Sequence, residues 1–467
     1  MMARPNALTY ATLAGACALA AVLGALLAGT SKIQVVAMGI AVLIVAVGVF
    51  VEAPEISLLA FLVVRPAVDA FVFTSVGGLT LGQVWGVCLI GATVVHLATR
   101  RNVHYPAPLV AFMIAYAGLT FVRPQLSVAL DSALKLASWL LLAVAIERIA
   151  RSRKGQHAIL TAVWASAFCL LVVIGIAVAQ GKYGSAYYTY GATNSYLRPH
   201  ALAQLAVLIM PFVLAQIIAG HRTRLSIIVA GLLGLGILMS LVRTGYLAVA
   251  MILAAYAFAG LRTAALRVRL SLVAMSVAMG FALYFFWNTL VKRLADLPLI
   301  GSLLGTPPTA QTGSGRVTFW TGLLKAGTDS LQHVLIGRGA GASAVLNQQL
   351  FGPIGSHNDF IEFFITGGII LLGAYLAFMI WILATMVRLY RDPRQSQTVH
   401  LCSVLLIGAF FGYVAMATTD GITLAAGSVV MAAIVGMAQG MLHTPGGTAL
   451  DAPAEADVAL NVGQATG

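Results

Sequence analysis

The eight residues Gly355-Ser356-His357-Asn358-Asp359-Phe360-Ile361-Glu362 hold the densest chemistry in the chain. A histidine, an amide and two carboxylates fall within six positions, in a sequence that is only 9% charged. Ser356 followed three residues later by Asp359 resembles a capping box, with Asp in place of the usual Glu or Gln. That spacing predicts a helix start with His357 in its first turn. The positive end of a helix favours neutral imidazole, which can accept a proton, and it also favours a nearby phosphate. Asp359 or Glu362 can then orient the ring. The plainer alternative is an interfacial histidine that only decorates a helix start.

Several arginines stand in places where a membrane chain rarely keeps them. Ser240-Leu241-Val242-Arg243-Thr244-Gly245 divides two apolar runs. A charge so flanked is costly unless paired or wet, so Arg243 reads as a phosphate clamp or as a boundary arginine snorkelling to headgroups. Gly315-Arg316-Val317-Thr318-Phe319-Trp320 leads into Leu323, Leu324 and Leu331, which predict one apolar helical face lying in the interface. Arg316 can then point towards a headgroup phosphate, or the segment is a plain lid helix. Gly337-Arg338-Gly339-Ala340-Gly341 reads as a flexible turn, with Arg338 a possible supporting contact to ligand. It is a weak phosphate signature, because no strand–helix nucleotide pattern surrounds it. Tyr187 to Tyr190 and Asn194 to His200 form an aromatic-rich loop, suited to sugar rings or to the membrane interface. There Arg198-Pro199-His200 opens a helix, with Pro199 acceptable in its first turn and Arg198 a second clamp candidate. Arg65 and Asp69, four apart, predict a structural ion pair on one helical face.

These residues need a scaffold, and the composition defines it. The chain has 467 residues, 60% of them apolar, and carries a formal charge of +13. Mean hydropathy is +0.96. Soluble domains are roughly 45–50% apolar and about 25% charged, so this is an integral membrane protein of helices rather than a barrel. Apolar runs recur near 8–28, 33–51, 56–74, 81–98, 107–122, 127–147, 158–179, 200–219, 225–241, 244–260, 269–290, 360–387, 399–418 and 423–442. That gives fourteen candidate spans, or twelve with two re-entrant or interfacial pieces. The least regular are 56–74, with Arg65, Pro66 and Asp69, and the close pair around Arg243. The first run reads as a retained helix rather than a cleaved signal. Cys17, Cys88, Cys169 and Cys402 lie in apolar runs without metal-ligand spacing and read as core residues.

Basic clusters orient the chain. Arg100-Arg101, Arg148 to Lys154, His221 to Arg224, Arg262 to Arg269 and Arg388 to Arg394 are expected on the cytoplasmic side, each separated from the next by two spans. The net charge is thus explained without nucleic acid. Both termini then face the cytoplasm, and the polar segment 291–356 lies outside. The expected organisation is a transmembrane bundle over 1–290, a loop with an amphipathic helix over 291–356, and C-terminal spans over 357–443. A disordered cytoplasmic tail over 444–467 completes it. The outer inventory, with Arg123, Lys182 to Arg198, Arg243, Lys292, Arg293, Arg316, Arg338 and His357, runs against the orienting rule and suggests an anionic ligand.

With these residues in place, the sequence resembles the O-antigen ligase and polymerase superfamily of bacterial envelope glycosyltransferases. The likeness rests on Ser240 to Arg243 closing one span, Gly315-Arg316 with Trp320 in a large outer loop, and Gly337 to Gly341. It also rests on Ser356-His357-Asn358 opening a helix that carries Gly367-Gly368. Order and context fit over about residues 190–385, whereas the first 180 residues match only as a generic set of spans. The resemblance implies a C-type glycosyltransferase fold in the inner membrane, with its site facing the periplasm. The donor would be a glycan on undecaprenyl pyrophosphate, and the ligase branch passes that glycan to a sugar hydroxyl of lipid A–core. Inversion at the anomeric carbon, without cofactor or essential metal, is implied as well. The histidine role then falls to His357 and pyrophosphate contacts to Arg243, Arg316 and Arg198, with Asn358, Asp359 and Arg338 possible supports. A polymerase or a protein O-oligosaccharyltransferase would use the same donor. The non-enzyme alternative is a transporter or flippase for a lipid-linked anion.

Overall fold

The computed structural model describes residues 54–70, 75–76, 79–98, 106–120, 126–179, 199–240, 242–262, 268–273, 316–350, 357–418 and 427–444, with the single positions Leu266, Val277 and Gly421. The runs at 8–28 and 33–51, Cys17, Arg123, the loop from Lys182 to Arg198, Lys292, Arg293, Ser356 and the tail from 445 onward lie outside the described residues. Within them the protein is helical, apart from a two-residue antiparallel ladder pairing β1 (Ser75–Val76) with β2 (Leu79–Thr80).

The helices are α1 (Pro54–Ala70), α2 (Leu81–Ala98), α3 (Ala107–Thr120), α4 (Leu126–Ala150), α5 (Arg153–Ala179), α6 (Pro199–Ala219) and α7 (Thr223–Ser240). They continue as α8 (Arg243–Leu261), α9 (Arg316–Gly327), α10 (Leu331–Ile336), α11 (Ala342–Leu350), α12 (Asp359–Arg391), α13 (Gln397–Ala417) and α14 (Gly427–Leu442). Among the described residues, six helices are long and apolar enough to cross a membrane: α5, α6, α7, α8, α12 and α13. Three shorter apolar helices, α2, α3 and α14, accompany them. The chain is an all-α, multi-pass membrane protein.

Small residues let these helices approach closely, as membrane packing requires when there is no water to expel. Gly436 and Gly440 on α14 face α4 so tightly that a Cβ at Gly440 would stand 2.3 Å from the Ala150 Cβ. Gly408 and Gly412 on α13 do the same against Ala255 and Ala248 of α8. α6 runs through the middle, with 89% of its spanning window buried. Cys169 and Cys402 are buried as expected.

Among the described residues, the basic stretches at Arg148 to Lys154, at Arg262 and at Arg388 to Arg394 meet at one end of the bundle. Gln397 Nε2 donates to Arg262 O at 3.5 Å, Gln395 Nε2 to Met441 O at 3.0 Å, and His443 lies 3.8 Å from Glu147, which also pairs with Arg151. The turn between α12 and α13 is closed by Asp392. Its carboxyl is held down at about 2, chiefly by the hydrogen bonds of the Arg394 side chain.

The expected Arg65–Asp69 pair is present and two-pronged, with Nε–Oδ2 at 2.9 Å and Nη2–Oδ1 at 2.8 Å. The guanidinium also sits 4.3 Å from the centroid of the Trp85 ring, tying α1 to α2. Removing one partner strands the other charge. Asp69→Ala should therefore cost about 3–5 kcal/mol, whereas Arg65→Met combined with Asp69→Leu should cost much less. Thermal unfolding of the purified variants checks the order, and a double variant as unstable as Asp69→Ala would contradict it.

α12 departs from the expected single span. Gly367 and Gly368 have non-helical backbone angles, with φ −139° and +61°. The ring centroids of Phe363 and Tyr375 are 4.5 Å apart, and those of Phe360 and Tyr375 are 5.6 Å apart. In a continuous helix these pairs would stand about 18 Å and about 22 Å apart along the axis. The chain therefore turns back at Gly367–Gly368, and the first two turns lie alongside the rest. Residues 369–391 alone reach about 34 Å, enough to cross a hydrocarbon core of about 30 Å. Phe363 and Tyr375 meet Phe112 of α3, whose ring also stacks on Phe378 at 5.4 Å, so the folded-back segment is seated in an aromatic core.

Candidate functional site

His357 sits at the start of that folded-back segment. It is not in the first helical turn, as the spacing suggested, but one residue before the cap. The cap is Asn358, whose Oδ1 accepts from Ile361 N at 3.1 Å, and α12 begins at Asp359. Asn358 takes this role because its own carbonyl oxygen satisfies an orphan amide of the first turn. Its Nδ2 donates to Thr418 O at 2.8 Å, pinning the turn to the end of α13. His357 adopts φ +49°, a left-handed conformation uncommon outside glycine. Because Phe360 reaches Tyr375, His357 lies on the Tyr375 side of the break rather than beyond it.

Asn358→Ala removes both bonds and should cost about 1–2 kcal/mol through the lost cap alone. Asn358→Asp keeps the cap oxygen and loses the Thr418 bond. A stability order of wild type, then Asp, then Ala in thermal unfolding is the expected result. Equal stability of Ala and wild type would remove Asn358 as the anchor of this turn.

Asp359 is 1% exposed, and a Cβ at Gly421 would stand 3.5 Å from its Oδ1 and 3.7 Å from the His357 Cα. Glu362 is engaged by two hydroxyls. It accepts from Ser343 Oγ at 2.5 Å and from Thr366 Oγ1 at 3.5 Å, so it ties α11 to the segment before the break.

Arg338 is also turned to internal work. The Gly337–Gly341 stretch is a turn hydrogen-bonded to α12. Arg338 N donates to Ile365 O at 2.7 Å and Gly339 N to Thr366 O at 2.9 Å, which satisfies carbonyls released by the break in α12. The guanidinium donates Nε to Ala326 O at 2.8 Å and pairs through Nη2 with Asp329. His333 and then Arg338 hold the Asp329 carboxyl below the usual carboxylate range. The polar layer of α9, α10 and α11 is thereby fastened onto α12.

The expected single face on α9 divides. Leu323 is fully buried in a small cluster with Ile361 and Ile365, backed by Trp320 and Phe364. Leu324 is exposed, and Leu331 begins the separate helix α10 after a turn. Successive helical positions differ by about 100°, so Leu323 and Leu324 cannot share one face once Leu323 points inward.

Arg243 is the first residue of α8, after Val242, which offers no side-chain cap. Arg316 is the first residue of α9. Gly245, two residues into α8, lies within 3.5 Å of the Ala203 side chain on α6, by the measure of an added Cβ. The start of α8 therefore abuts the start of α6. That start carries His200, whose ring centroid is 6.5 Å from that of His357, with the planes tilted at 43°. So α6, α8 and the turn before α12 converge at the end of the bundle opposite the basic clusters. Arg198, which immediately precedes α6, lies outside the described residues. His200 was visible in the sequence as the end of an aromatic-rich loop and the opening of a helix, and no spacing rule links it to a position as far away as His357. Among the described residues, no group of three or more His, Cys, Asp or Glu side chains is gathered as a metal ion would require. Comparison with protein-family models and with curated proteins found no match for this chain.

Proposed function

We propose that this protein is an O-antigen ligase of the bacterial inner membrane, acting at its periplasmic face. It transfers a glycan from undecaprenyl pyrophosphate to a sugar hydroxyl of lipid A–core. The observation that carries this reading is the seat of His357. A histidine is held in a strained turn, capped by Asn358 and recessed behind the break in α12, where helices starting at Arg243 and near Arg198 converge. A hydroxyl attacking an anomeric carbon needs a base that works near neutrality, and imidazole is one. The departing pyrophosphate needs positive charge where its own charge develops. A donor carried on a lipid brings its pyrophosphate to headgroup depth, beside such a recess. His357 takes the proton of the acceptor hydroxyl, the C1–O bond to pyrophosphate breaks, and Arg243, Arg316 and Arg198 hold the leaving diphosphate. Inversion follows from attack opposite the leaving group. The basic end of the bundle then faces the cytoplasm.

Arg243→Ala and Arg316→Ala should each lower donor kcat/KM by about 10- to 100-fold, the worth of one charge-assisted hydrogen bond. Unchanged donor use in both stable variants would defeat the clamp. In cells, deleting the gene should remove the glycan-bearing lipopolysaccharide ladder, and the intact chain should restore it. A ladder that persists after deletion would contradict ligation.

A further inference from the structure

We infer that His200 is the positioning residue for His357, fixing the direction of its imidazole by ring contact. This rests on the glycosyl-transfer role proposed for His357 above. The backbone of His357 is already immobilised, by its left-handed turn, by the two bonds of Asn358 and by the close approach of Gly421. The two side-chain torsions of His357 then decide whether a ring nitrogen meets the acceptor hydroxyl. The ring of His200 neighbours that of His357, with 6.5 Å between centroids and the planes tilted at 43°. Aromatic rings with centroids about 4.5–7 Å apart interact favourably and prefer particular mutual orientations. His200 is a firm support because α6 is enclosed by its neighbours over most of its length. A base must reach the proton it takes within about 2.6–3.2 Å. A misplacement of about 1 Å can cost about 100-fold in rate.

A packing role is separable from a proton-carrying one. His200→Phe keeps a planar ring and loses both nitrogens, whereas His200→Ala loses the ring itself. His200→Ala should lower kcat by about 10- to 100-fold while both KM values stay within about 3-fold, and His200→Phe should recover most of that loss. A second readout needs no turnover: the rate at which diethyl pyrocarbonate modifies His357, followed by peptide mass spectrometry on the reconstituted protein. The rate should rise several-fold in His200→Ala and return towards wild type in His200→Phe. An unchanged rate in His200→Ala would overturn the inference. So would a His200→Phe variant as slow in transfer as His200→Ala, which would show that the nitrogens matter and not the wall. If intact protein transfers no glycan, the proposed function falls, and the modification rates still decide the ring contact.

Discussion

Replacing His357 with alanine should lower transfer by about 100- to 10,000-fold and leave the protein folded. The size follows from the loss of the proposed proton abstraction, while the proposed donor binding through the arginines stays in place. The folded state should survive because the turn is held by its neighbours. Asn358 caps α12 and reaches Thr418 O, and neither bond uses the imidazole. The His357 backbone sits at φ +49° in either case, a strain alanine also bears. Initial rates of glycan transfer, taken beside thermal unfolding of the same preparations, check both halves. Transfer within a few-fold of wild type would remove His357 from the chemistry, and collapse of the fold would make it a structural residue.

Gly368→Ala should be among the most damaging single changes in the chain. Gly368 has φ +61° and ψ −156°, a region open essentially to glycine alone. A Cβ there would stand 2.4 Å from the Leu335 carbonyl carbon and 2.5 Å from Val334 O. Those atoms are backbone and cannot swing aside. Strain of about 1–3 kcal/mol adds to the displacement of α10, so the expected cost is at least about 3 kcal/mol. Gly373 provides the matched control. It lies five residues further along the same helix, and an added Cβ there meets nothing within 4 Å. Gly373→Ala should be neutral or stabilising by up to about 1 kcal/mol. Thermal unfolding in nanodiscs distinguishes the two, and equal behaviour would refute the close packing at the break.

The all-α, multi-pass membrane character was legible because helices long and apolar enough to span follow from composition and length. The Arg65–Asp69 pair was legible because four residues is one helical turn. The expected cap was misplaced by two residues. Ser356 and Asp359 fit a familiar pattern, but Asn358 can bond in two directions and so fixes the turn better. The turn back at Gly367–Gly368 was missed because glycines are frequent in membrane-spanning helices, and only a partner identifies them as a break. That partner, Gly337 to Gly339, lies about thirty residues earlier in the chain. Arg338 read as a possible ligand contact because an arginine between glycines looks free. Its actual partners, Ala326 O and Asp329, are set by how α9 and α10 fold over α12. The proximity of His200 to His357 escaped notice for the same reason, since the two lie more than 150 positions apart in the chain.

The most direct test of the central claim is transfer by purified components. The reconstituted protein would be mixed with a glycan on undecaprenyl pyrophosphate and with lipid A–core, beside the His357→Ala variant. The account predicts glycan on lipid A–core with the intact protein and almost none with the variant. Glycan lengthening on the undecaprenyl carrier instead, or equal transfer by the two proteins, would contradict it.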